Sequence, residues 1–123
     1  MPEESTFYVV SLKHTKRRDR YITVWRPDDK GYCYPLPWAG FYPESRIRQS
    51  LDYYNNGCTD VAVPCGVLDQ IAIPPMPGEI DNDAGPMVPN NAESWCRILA
   101  NTIETPAYEP RPEYKGAHYR KTT

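Results

Sequence analysis

TFYVVSLKHTKRRDRYITVWR, residues 6–26, sets two β-prone runs on either side of a polar, cationic stretch. Residues 6–12 are rich in aromatic and β-branched side chains and read as a strand. In 21–26, Tyr21, Thr23 and Trp25 alternate with Ile22, Val24 and Arg26, the period of a strand. Two strands this close in sequence pair antiparallel. The connection, 13–20, then becomes a hairpin loop holding His14 and five cations.

Working outward, Pro27-Asp28-Asp29-Lys30-Gly31 is turn chemistry, and 32–36 reads as a third, edge-type strand because Pro35 and Pro37 cannot donate ladder hydrogen bonds. Tyr42-Pro43-Glu44-Ser45 opens a helix with Pro43 at its first position. Ile47, Leu51 and Tyr54 give that helix one apolar face, and Asn55-Asn56-Gly57 ends it. A short strand is expected at 59–63, then a brief helix from Pro64 with Val67, Leu68, Ile71 and Ala72 inward. Residues 74–89, with five prolines, read as a surface loop. A last helix has Asn90 as cap, Glu93 as its capping-box partner, and Trp95, Ile98, Leu99, Thr102 and Ile103 on one face. The fold class is α+β: an antiparallel β-meander of about three or four short strands packed against two or three helices. The expected organisation is one compact domain, 1–105, followed by a flexible Pro/Tyr/basic tail, 106–123.

The chain has 123 residues and a net charge of −2, a length that suits one domain. No stretch is long and apolar enough to cross a bilayer, and the N-terminus lacks the basic and apolar regions of a secretion signal, so a cytoplasmic protein without membrane contact is expected. Cys33, Cys58, Cys65 and Cys96 form no CxxC pair and are expected as reduced, mostly buried thiols. Charge is segregated: 1–50 carries nine Lys/Arg against six Asp/Glu, 51–104 one against eight, and 105–123 four against two. That pattern fits either internal complementarity or docking faces of opposite sign.

A resemblance enters at 25–46, WRPDDKGYCYPLPWAGFYPESR. Trp25, Pro27, Gly31, Tyr32, Ala39, Gly40, Tyr42 and Glu44 follow a W-x-P-x3-G-Y-x6-A-G-x-Y module that resembles small uncharacterised proteins of tailed phages and prophages. With the flanks FYVVSLKHT and YITVW the resemblance covers about a third of the chain; Pro43 departs from it, standing where a Ser or Thr helix start is expected. It implies a phage-type origin, a strand–turn–strand–helix unit, and an anti-CRISPR-like role as inhibitor of a host defence or regulatory complex. It implies no catalytic chemistry.

The cysteines with His14 and His118 lack the close spacing of structural zinc sites, and DNDAG at 81–85 lacks the closing Glu of a calcium loop. No nucleotide-loop fingerprint is present, and no cofactor is expected. Cys65 stands at a helix start, where a thiol nucleophile is conceivable with a histidine base and Asp69, but a small Cys-dependent enzyme is the third choice. The first is a non-enzymatic interaction protein that binds a host or phage protein through Lys16, Arg17, Arg18 and Arg20 with Trp38, Tyr42, Tyr108 and Tyr114, since aromatic and Arg anchors carry much interface energy. The second is a nucleic-acid-binding accessory protein using the same 13–20 loop, a reading opposed by a pI near 5.6.

Overall fold

Strand β1, Thr6–Ser11, lies at the middle of the molecule, in a computed structural model that describes residues 5–74 and 85–117. Its run of apolar residues shows no polar alternation because both faces are covered. Tyr8 and Val10 face one core; Phe7 and Val9 face another. Strand β5, Asp60–Pro64, pairs antiparallel with β1 from Phe7 to Ser11 and so takes one whole edge. The other edge is shared by two short strands: β2, Val24–Trp25, meets β1 at Val10, and β4, Tyr42–Pro43, meets it at Thr6 and Phe7. Strand β3, Tyr32–Cys33, completes the expected meander by pairing with β2.

The helices close both faces, giving an α+β fold in three layers. Helices α1, Glu44–Gln49, and α2, Leu51–Tyr54, place Ile47 and Tyr54 against Phe7, Val9, Trp25 and Tyr42. Helices α3, Cys65–Ile71, and α4, Ala92–Ala100, place Leu68, Trp95 and Ile98 against Tyr8, Val10, Val24 and Val61.

Several local expectations are corrected. Pro43 is the last residue of β4 and the cap of α1, not its first helical residue, since its ψ of 149° is extended. The single helix expected to reach Tyr54 breaks at Ser50, whose φ of −146° leaves the helical region; serine competes for backbone hydrogen bonds and is a weak helix interior. The third strand stops at Cys33, and Leu36–Trp38 forms a 3-10 turn instead. The cap of α4 is Asn91, which accepts from Ser94 N at 2.8 Å, so Asn90 and Glu93 form no capping box. The described end of the 74–89 loop is internal: Met87 and Val88 are buried, and Met87 exchanges backbone hydrogen bonds with Ile73. Of the four free cysteines only Cys33 is fully buried; Cys58 and Cys96 are exposed.

The turn after β2 is locked from the opposite layer. Asp28 and Asp29 sit at φ 56° and 58°, a left-handed conformation that Asp tolerates better than most residues. The Tyr42 hydroxyl donates to Arg26 O and accepts from Asp29 N at 3.0 Å. Tyr54 donates to the Asp29 carboxylate, and Arg46 pairs with Asp28 and Asp29 at 3.4 and 3.2 Å. Burial pushes the Tyr42 hydroxyl up to about 12, so it stays a neutral bridge. Gly40 passes so close to Pro27 that a Cβ would lie 2.8 Å from its Cα.

Asp60 gives a pH prediction. Its carboxylate is buried, accepts from Trp25 Nε1 at 2.9 Å and Thr59 Oγ1 at 2.7 Å, and lies near Lys13 and His14. Burial outweighs these stabilising contacts and holds the carboxyl above its ordinary value. The fold therefore favours protonated Asp60, and its contribution declines as pH climbs from about 4 through the raised folded value. Urea unfolding of the wild type and Asp60→Asn should show the variant gaining relative stability as pH rises; a difference that stays flat contradicts this assignment.

Candidate interaction surface

The 13–20 loop is built rather than loose. Thr15 is buried, donating to Ser11 O at 2.6 Å and accepting from Thr23 N at 3.0 Å. Asp19 closes a turn by accepting from Lys16 N at 2.8 Å. Asn90, brought alongside by the buried 87–90 stretch, donates its side-chain amide to Lys16 O and Asp19 O at 3.1 and 3.0 Å. The Asn90 carbonyl accepts from Trp95 Nε1 at 2.6 Å, so the loop is tied to the largest side chain of the α4 core.

This scaffold presents a concave face of about 640 Å³ lined by Arg17, Arg18, Arg20 and Lys115 beside Asn90 and Asn91. Among the described residues Asp19 is the only acidic one in its lining, and its carboxylate is already engaged by the loop backbone. Lys115 arrives from the C-terminal segment, which lies along the body over its described part. Tyr108 N donates to Asn56 O at 3.0 Å, Pro112 and Ala117 are buried, and Tyr114 packs on the main core. Arg17 holds that segment, donating to Glu113 at 2.9 Å and to Ala117 O at 2.9 Å. Both members of the Arg17–Glu113 pair are about half exposed, so the bond is worth well under 1 kcal/mol and is open to exchange.

The predicted site residues divide. Arg17, Arg18 and Arg20 share the basic concavity, while Lys16 is exposed beside it with Nζ donating to Lys13 O. Trp38 is 40% exposed and lines a different cavity; Tyr108 is 65% exposed and lines neither. Tyr114 is half-buried. Tyr42 is withdrawn as a contact residue: at 2% exposure its ring belongs to the α1 core and its hydroxyl to the Asp28–Asp29 turn. Trp25 is likewise buried. Asn90 and Lys115 were missed. The carbonyls that Asn90 holds lie 74 and 71 residues away in sequence, and no local pattern announces such a pairing.

The alternative chemistries find little geometric support. Burial pushes the Cys65 thiol up, opposite to what a nucleophile requires. Cys65 lies beside Thr6, Tyr8 and Asp69, while the His14 ring packs on Tyr32 at 4.1 Å. Among the described residues no three His, Cys, Asp or Glu side chains converge as a metal site, and no helix is long and apolar enough to cross a membrane. His118 and residues 81–84 lie outside the described residues. In comparisons with family models, curated proteins and solved structures, the chain matches none.

Proposed function

We propose that this chain is a non-enzymatic interaction protein that docks an acidic surface of a partner protein onto the concave face formed by Arg17, Arg18, Arg20 and Lys115. One observation supports the reading above the others: a protein of net charge −2 gathers four cations around one hollow, where Asp19 is committed to shaping the loop and Glu113 is held only by a half-exposed pair with Arg17. A fixed cationic hollow steers an acidic partner and limits the entropy lost on docking. The resemblance of 25–46 to phage and prophage proteins makes a host defence or regulatory complex the expected partner, met in the cytoplasm of the host cell.

Affinity capture from bacterial lysate, with and without nuclease, tests the proposal. Wild-type chain is expected to retain defined proteins after nuclease, and Arg18→Glu combined with Lys115→Glu is expected to lose them while keeping wild-type thermal stability. Loss of the captured proteins on nuclease treatment alone would assign the face to nucleic acid.

A further inference from the structure

A second cavity, of about 360 Å³, opens beside β3 and is lined by rings and a cation rather than by a cluster of arginines. His14, Tyr32, Tyr34 and Trp38 contribute the rings, Arg26 the guanidinium and Thr23 a polar wall; among the described residues no carboxylate lines it. The His14 and Tyr32 rings meet at 4.1 Å, forming one aromatic wall. The Arg26 guanidinium lies 5.4 Å from the Trp38 ring centre, while its Nε donates to Tyr32 O at 3.1 Å. Arg26 therefore spans the two ring-bearing sides and keeps guanidinium nitrogens for an anion.

Trp38 stands on rigid backbone. Pro35 caps the 3-10 turn Leu36–Trp38, Pro37 lies within it, and Trp38 N and Ala39 N donate to Pro35 O and Leu36 O. An indole held this way, 40% exposed, offers a stacking face at small ordering cost.

The geometry points to a nucleotide site: a nucleobase laid against the Trp38 and His14–Tyr32 rings, with its phosphate at the Arg26 guanidinium. Base–aromatic stacking tolerates any base, and a cation without a competing carboxylate suits a phosphate. The volume fits one nucleotide rather than a folded strand. The same chemistry is offered by a free nucleoside monophosphate and by one unstacked nucleotide of a single strand. This site is separate from the basic concavity and stands or falls without it.

The test titrates the full chain with AMP, UMP, inorganic phosphate and an eight-residue oligothymidylate, following the Trp38 indole N–H resonance and the heat of binding. Nucleotide is expected to shift that resonance, Trp38→Ala to weaken binding roughly ten-fold or more, and Trp38→Phe to restore most of it. Arg18→Ala should leave this binding unchanged. Tighter binding of AMP or UMP than of the oligomer per nucleotide would assign a free-nucleotide site; the reverse would assign a single-strand site. An unmoved Trp38 resonance, phosphate binding as well as nucleotide, or full affinity in Trp38→Ala would overturn the proposal.

Discussion

Trp95→Ala is expected to lower the unfolding free energy by about 3–5 kcal/mol, the range for truncating a large buried aromatic. Trp95 is 2% exposed, and its ring fills the space between α4 and the face of the sheet carrying Tyr8, Val10 and Val24. The substitution also strips Asn90 of the indole N–H that fixes its amide, and with it the grip on Lys16 O and Asp19 O. Trp95→Phe weights the two effects differently, because it keeps most of the apolar volume but removes the donor entirely. Its stability loss should be smaller, while amide hydrogen exchange across 16–20 should still accelerate. Urea unfolding that shows Trp95→Ala within about 1 kcal/mol of wild type would contradict the packing of α4 described above.

Gly57→Ala is expected to cost about 2–4 kcal/mol and to detach the segment that brings Lys115 to the basic face. Gly57 sits at φ 85°, where an L side chain is strained, and donates its N–H to Asp60 O at 2.9 Å. A Cβ there would run into the Tyr108 carbonyl oxygen and stand 2.7 Å from the Pro106 side chain. Either the 55–60 turn distorts or the chain at 106–108 lifts away, breaking the Tyr108 N to Asn56 O bond. Limited proteolysis should then cut 105–117 faster than in wild type. Unchanged cleavage together with an unchanged melting temperature would show that the segment does not rest on Gly57.

How much of this was legible in the sequence follows from how local each interaction is. The β1–β2–β3 meander was readable because TFYVVSL and YITVW declare their strands within a few residues and a polar loop joins them. The apolar positions of α4 were readable for the same reason. The cap was displaced by one residue, because Asn90 and Asn91 are both good caps and a distant contact claims the first. The break at Ser50 was hidden by the apolar spacing of Ile47, Leu51 and Tyr54, which reads as one continuous helix face across a residue that is itself a weak helix former. Tyr42 is amphipathic, and nothing local says whether its ring will meet a partner or the interior. The internal course of Met87 and Val88 was hidden by flanking prolines that imitate a surface loop.

The candidate face was half legible. Arg17, Arg18 and Arg20 are adjacent in sequence and had to share a loop, whereas Lys115 and Asn90 reach it only through the folded chain. Part of the segregated charge is paired within the fold and part is gathered on the basic concave face. Arg48 joins the basic first segment to the acidic middle through Glu104, whereas its pair with Glu44 and the pairs of Arg46 with Asp28 and Asp29 stay within the first segment. In the concavity Arg17 pairs with the half-exposed Glu113, and the Asp19 carboxylate accepts from the loop backbone.

The most direct test of the docking proposal is the salt dependence of partner binding by wild type and by Arg18→Ala combined with Lys115→Ala. Both positions are exposed, so the fold should be undisturbed. Wild-type affinity is expected to fall steeply as salt rises, and the double variant is expected to bind more weakly with a flatter dependence. Equal affinity and an equal salt slope in the two proteins would contradict the assignment of this face as the docking surface.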